Sequence, residues 1–259
     1  MLKFETLELE VEPEGRIGRI TLNRPAKLNA LSPTLLTELA QAAHAFDEMP
    51  AVRVVIVCGA GRAFCAGADL ATFAEIVSAE IEDPHAVADL GRRMADAIEA
   101  MRAVTIAAIH GRCVGGAVVL AGACDFRVAS TDAIFSIPEV DLGIPLAWGG
   151  IARLVRDIGP VRTKELVLTC REFLADEALA VGFLTQICAP DALTTTVDHL
   201  ASSLAAKARL PLALTKAHVN AVSDTMVSPS RSFADAAGLI AALGDSESLD
   251  AAARYRSRL

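Results

Sequence analysis

No part of this chain is apolar for long enough to cross a bilayer. Apolar runs such as Val54 to Val57 and Val104 to Ile109 fall well short of the roughly 18 residues that a spanning helix needs, so no membrane span is expected. The start of the chain, Met1-Leu2-Lys3-Phe4-Glu5, lacks the basic stretch and apolar core of a secretion signal, and a cytoplasmic protein is the expectation. Six cysteines include no C-x-x-C pair and sit among small or apolar neighbours, which favours buried free thiols. The five histidines show no ligand spacing, so no metal is expected. Basic residues are also scarce. With 24 Lys and Arg against 32 Asp and Glu, the net charge of −8 argues against a nucleic-acid surface, although a few local cations could still hold a small anion. Internal repeats, low-complexity linkers and charge blocks are missing too.

What the chain does have is apolar content, 53% of 259 residues, enough for one large domain or a domain with an appendage. Leu7 to Glu12 alternates apolar and acidic residues, and Ile17 to Leu22 follows after Pro13-Glu14-Gly15, which predicts two strands joined by a turn. Ser32-Pro33 suits the cap and first position of a helix, with Leu36, Leu39, Ala43 and Phe46 at helical spacing. Val52 to Cys58 and Val104 to Ile109 read as buried strands, with a helix over Ala86 to Met101 between them. Asp125 to Ala129 and Ala133 to Ser136 read as short strands. After Pro145 the pattern is mostly helical apart from a strand-like Phe183 to Ile187; Pro190 and Pro211 punctuate alanine- and leucine-rich stretches, and Ser228-Pro229 separates two further helices. The fold class is α/β, with a core over residues 1–190 and a helical region over 191–259.

Two segments leave apolar strand-like runs and enter small residues: Arg62-Ala63-Phe64-Cys65-Ala66-Gly67-Ala68-Asp69-Leu70 and His110-Gly111-Arg112-Cys113-Val114-Gly115-Gly116-Ala117. Small residues allow close backbone approach, and taken singly each turn reads as packing. Gly115-Gly116 also precedes a short apolar helix, whose unpaired N–H groups and positive dipole end would point at the turn. Brought together, two such turns could grip one oxygen atom. Peptide donors aimed at developing negative charge form an oxyanion hole, which points to an enzyme that stabilises an enolate or a similar anion.

Taken in order, Leu22-Asn23-Arg24-Pro25, Asn29-Ala30-Leu31, Ala63 to Leu70, Gly111 with Gly115-Gly116, Cys124-Asp125, Pro138-Glu139 and Leu142-Gly143-Ile144-Pro145 resemble the crotonase (enoyl-CoA hydratase/isomerase) superfamily over nearly the whole chain. The resemblance implies a crotonase-like spiral of ββα turns with a helical C-terminal trimerisation region, hence a homotrimer or a dimer of trimers. It implies an acyl thioester of coenzyme A as substrate and no separate cofactor. By position, the backbone N–H groups of Ala66 and Gly116 would bind the thioester oxygen. Ala66, Gly67, Ala68, Asp69 and Leu70 would line the coenzyme A channel, with Lys27 and Arg62 either cations for its phosphates or ordinary surface charges; Trp148, the one tryptophan, reads as a wall of the acyl pocket or as a core residue.

One departure bears on mechanism. Hydratases of this family use two glutamates, and here the first position is Val119 while the second is kept as Glu139. Hydration needs water held and deprotonated while a proton reaches the α carbon, and valine can do neither. Moving a double bond from the 3 to the 2 position needs a single base, so a 3-enoyl-CoA to 2-enoyl-CoA isomerase is favoured. Val119 would dry the pocket and raise the carboxylate's pKa. An enoyl-CoA hydratase with a reduced acid/base set and a non-catalytic acyl-CoA-binding protein are the alternatives. If Glu139-Val140-Asp141 is extended, Asp141 points to the same side as Glu139. Ala147 stands where dienoyl-CoA isomerases carry a further aspartate, which disfavours that variant. Arg254, Arg256 and Arg258 are further cations that could reach a neighbouring subunit's coenzyme A.

Overall fold

The long apolar runs belong to strands that are covered on both faces. A computed structural model describes residues 3–72, 82–228, 232 and 234–257. Strands β1 (Leu7–Val11), β2 (Ile17–Leu22), β3 (Val54–Gly59), β4 (Val104–Ile109), β6 (Phe126–Ser130) and β9 (Gln186–Cys188) form one sheet in the order β1-β2-β3-β4-β6-β9. β1 and β2 are antiparallel, with Leu7 opposite Leu22, and every later pairing is parallel. Because side chains alternate along a strand, Val55 and Val57 of β3 enter one core while Val54 and Ile56 enter a second on the opposite face. A parallel strand buried on both faces reads as a continuous apolar run.

The first core is closed by α1 (Pro33–Asp47), α2 (Pro84–Ala100), the short α3 (Gly116–Gly122) and a second sheet, β5-β7-β8, made of Arg112–Val114, Ile134–Ser136 and Phe173–Leu174. Ser32 caps α1 as its spacing predicts, accepting a bond from the Leu35 N–H. The second core is closed by α6 (Leu193–Ala205), whose Leu193, Val197, Ala201 and Leu204 recur at helical spacing. This helix lies beyond residue 190 in the chain yet supplies one whole face of the sheet's packing. Between the sheets and α6 run α4 (Gly150–Thr169), broken at Gly159, and the short α5 (Ala175–Ala180). Among the described residues all six cysteines are free, and no helix is long and apolar enough to cross a membrane.

The remaining helices are α7 (Arg209–Met226), α8 (Asp235–Leu243) and α9 (Ser246–Arg256). Pro211 does not break the chain. It sits in the first turn of α7, where its missing N–H costs no helical bond. Pro229 and Arg258 lie outside the described residues. α7 is pinned to the sheet by Lys216, which is buried and donates to the Ala103 carbonyl at 2.9 Å while pairing with Asp125 at 2.7 Å. Asp125 also accepts from the N–H and hydroxyl of Thr105, which accounts structurally for an acid at the start of β6. The strand expected over Phe183 to Ile187 is displaced to Gln186–Cys188, because pairing with Val128 to Ser130 sets the register and leaves Phe183 and Leu184 as core residues.

One buried amide ties the loop after β2 to the loop after β3. Asn29, wholly buried with φ +56°, accepts from the Arg24 N–H at 3.0 Å and donates to the carbonyls of Ala60, Ala63 and Phe64 at 2.9, 2.9 and 3.1 Å. The left-handed backbone that Asn tolerates aims the side chain inward. Asn29→Ala strands one donor and three acceptors together, and it is expected to destabilise the fold by about 2–4 kcal/mol in urea denaturation.

Candidate active site

Two turns meet at backbone distance beside a cavity of about 660 Å³. Gly67 has φ +90°, and a Cβ on it would lie 2.5 Å from the Val114 carbonyl and 3.7 Å from the Gly116 nitrogen. No other residue fits there, which is the physical content of the small-residue motif. Around it the chain forms a parallel bridge between Leu31 and Ala68: the Leu31 N–H donates to the Gly67 carbonyl at 2.8 Å, and the Asp69 N–H donates to the Leu31 carbonyl at 3.1 Å. In a parallel bridge the residues on either side of Ala68 make the bonds, so the N–H of Ala68 itself faces away from Leu31.

This arrangement corrects the expected donor pair. The Ala66 N–H donates to the Leu28 carbonyl at 2.9 Å, so it is already engaged and cannot grip an incoming oxygen. Ala68 and Gly116 both line the cavity, and their N–H groups find no acceptor among the described residues. Gly116 opens α3, so the dipole of that helix adds to its donor.

Glu139 faces these donors. It is 8% exposed, it lines the cavity, and its Oε2 has no hydrogen-bond partner among the described residues. Gly115 makes room for it: with φ +54°, a Cβ there would lie 2.4 Å from Oε1. The Gly115 N–H in turn donates to the Ser136 carbonyl at 2.8 Å, locking the turn to the end of the strand that leads into Glu139. Burial pushes the carboxyl up to about 7. After it the chain turns instead of extending, with the Leu142 N–H on the Pro138 carbonyl and the Ile144 N–H on the Glu139 carbonyl. Asp141 is therefore exposed and stands outside the cavity wall. Val119 is buried at 2% exposure behind the wall, not in it, so it dries the site by packing and not by facing the cavity.

Trp148 lies in the cavity wall along with Leu142, Ile144, Leu146 and Ala147, and it packs into the main core as well. Its indole occupies a niche cleared by two glycines: a Cβ on Gly91 would lie 1.9 Å from the ring and one on Gly116 2.3 Å from it. The ring N–H donates to the Ala88 carbonyl at 3.1 Å. Trp148 and Gly149 are both left-handed, and the turn is held by buried Arg153 on the Trp148 carbonyl at 3.1 Å and by Asp235 accepting from the Gly149 N–H at 2.8 Å. Gly91, Arg153 and Asp235 carry no motif in the sequence.

At the other end, Leu28, Ala30, Ala68, Asp69 and Leu70 line the mouth. The Asp69 carboxylate is occupied by Arg24 at 3.0 Å, so this acid shapes the loop. Lys27 and Arg62 are exposed and absent from the cavity lining, yet their loops adjoin through Pro25 and Gly61, and Lys27 precedes the lining residue Leu28. Wall residues that the sequence did not single out are Ser136, Arg112, Glu172, Leu239 and Tyr255, the last two from α8 and α9. No group of acids, cysteines and histidines among the described residues could hold a metal ion.

Known proteins share this chain's sequence pattern and fold. A family model described as Enoyl-CoA hydratase/isomerase matches residues 12–250. A crotonyl-CoA hydratase of Syntrophomonas wolfei is 37% identical over 237 residues, 91% of this chain and 90% of that protein. A peroxisomal Delta(3,5)-Delta(2,4)-dienoyl-CoA isomerase of Arabidopsis thaliana is 36% identical over 228 residues, 84% of this chain and 82% of its own. The crystal structure of an enoyl-CoA hydratase from Mycobacterium avium subsp. paratuberculosis superposes with a TM-score of 0.86 at 26% identity, covering 98% of this chain and all of the other.

The raised Glu139 carboxyl has a definite sign for stability. Between its ordinary value of 4.5 and about 7, the folded protein holds a proton that the unfolded chain releases, so stability falls as pH rises through this window. Glu139→Gln removes the ionisable group. It is expected to be more stable than the parent at pH 8 by on the order of 3 kcal/mol and indistinguishable from it at pH 4, as read from urea midpoints.

Proposed function

The chain belongs to the enoyl-CoA hydratase/isomerase family of the crotonase superfamily, and on that premise we propose that it moves a double bond of an acyl-CoA thioester from the 3 to the 2 position through a thioester enolate. The observation that carries this reading is a single buried, unpartnered carboxylate, Glu139, facing two unpaired peptide donors. The thioester oxygen accepts from the Ala68 and Gly116 N–H groups. Glu139 takes a proton from C2, the electron pair of that C–H bond moves into the enolate, and the same proton returns at C4 as the double bond shifts. A carboxyl poised near 7 can both accept and return a proton near neutral pH. Coenzyme A enters as part of the substrate past Ala66 to Leu70, with Lys27 and Arg62 on the adjoining loops within reach of its phosphates.

Two further points complete the reading. Ala147 lines the cavity and offers no carboxylate, which counts against dienoyl chemistry. The names of relatives such as the Syntrophomonas wolfei crotonyl-CoA hydratase favour hydration as the second reading. α7 exposes Leu210, Leu214, Val219, Val222 and Met226, an apolar set that supports association of like chains into a homotrimer or a dimer of trimers. Sedimentation is expected to give the mass of three or six 27.1 kDa chains, and Leu214→Glu to shift it downward.

Incubation of the protein with trans-3-hexenoyl-CoA in D2O is the direct test. The 2-enoyl thioester should form first, and kcat/KM for its formation should rise with pH to a plateau above about 7. Glu139→Gln should lower the rate by at least about a hundredfold. Unchanged substrate with the parent protein, or full activity in the variant, would overturn the proposal.

A further inference from the structure

Tyr255, the one tyrosine of the chain, stands on α9 in the wall of the Glu139 cavity. A specific contact delivers it there. Gly143, in the turn that follows Glu139, has φ +73°, and a Cβ on it would lie 2.2 Å from the Ser248 carbonyl of α9. The helix thus rests directly on the turn that carries the catalytic acid. Residues seven apart return to nearly the same side of a helix after two turns, so Tyr255 repeats the inward face of Ser248 and brings a hydroxyl to the cavity. The polar neighbours at this end are already accounted for in part: Arg112 and Glu172 satisfy each other at 2.9 Å, whereas Glu139 Oε2 has no partner. The groups that act on the phenol are Glu139, Asp141, Cys170 and Arg112; burial first, and then the acids, hold it above its ordinary value, so it carries its proton across the working range of pH.

We propose that the Tyr255 hydroxyl is a second catalytic group, holding a water molecule against Glu139 so that the same cavity hydrates 2-enoyl thioesters, a role that rests on the enoyl-thioester reading above. Val119 offers no polar atom for this task, and a residue from the far end of the chain supplies one instead. In the step, one O–H bond of the water breaks and an O–C3 bond forms. The released proton passes to Glu139, and the C2=C3 electron pair moves into the thioester enolate held by Ala68 and Gly116. The enolate then collapses as C2 takes the proton from Glu139. The phenol oxygen accepts the water's other hydrogen, which turns the lone pair of the water oxygen toward C3.

Tyr255→Phe keeps the ring and removes only the hydroxyl. It is expected to lower kcat for hydration of crotonyl-CoA by at least about tenfold while KM changes less than about twofold. With one tyrosine present, its ionisation can be followed directly by phenolate absorbance in the ligand-free protein, and Glu139→Gln is expected to lower that pKa by removing the acid's charge. Hydration at the parent rate in Tyr255→Phe would overturn the catalytic role. A phenol pKa unchanged by Glu139→Gln would overturn the shared site whatever the substrate. A protein that turns over no enoyl thioester, but whose phenol still responds to Glu139→Gln, would instead overturn the enoyl reading and with it the hydration step, while leaving Tyr255 beside the acid.

Discussion

The N–H groups of Ala68 and Gly116 are kept from every carbonyl of the described residues, although both residues line the cavity where a peptide donor would otherwise be satisfied by the chain. The surrounding structure exists in a form that sustains this. The Leu31 bridge consumes the bonds on either side of Ala68, and Asn29 holds the loop that carries Leu31 to the loop that carries Phe64. Cys65 contributes from below: burial pushes its thiol up to about 12, so it stays protonated and donates to the Asn29 carbonyl at 3.0 Å. Neutral hydrogen bonds thereby fix the turn without placing a competing charge beside the donors.

Space, more than charge, decides the rest of the site. Gly67 admits the Val114 carbonyl, Gly115 admits Glu139, and Gly91 with Gly116 admits the Trp148 ring. Each glycine stands where a methyl group would collide with a part of the site, so the candidate active centre is assembled from absences of side chain as much as from side chains. The carboxylate that occupies one of these spaces is left dry and unpaired, and its raised pKa follows from that desolvation. The price in stability is met by the two apolar cores on either face of the main sheet.

Legibility from the sequence followed the range of the forces involved. Strands buried on both faces, the Ser32 cap and the short helix after Gly115 were readable because period, capping and small residues act locally. Glu139 was readable from its motif. Asp141 was left open because its direction depends on whether the backbone extends or turns, and the hydrogen bonds from Leu142 and Ile144 turn it. Ala66 was taken for the donor because both it and Ala68 flank the same glycine; only the partner strand, which engages one and frees the other, separates them. Val119 was rightly seen as apolar, but its place behind the wall depends on how α3 rolls against α4.

By itself, the sequence determined the family, the α/β layout, the two glycine turns and the surviving acid, because each is carried by residue type at short spacing. Tertiary structure alone decided which peptide N–H remains open, which wall Trp148 completes and how the last two described helices reach the cavity. Leu239 and Tyr255 lie more than ninety residues from Glu139 in the chain, and no local pattern encodes a contact over that separation. It arises only when α8 and α9 pack back onto the turn after Glu139 and Gly143 leaves room for them to do so.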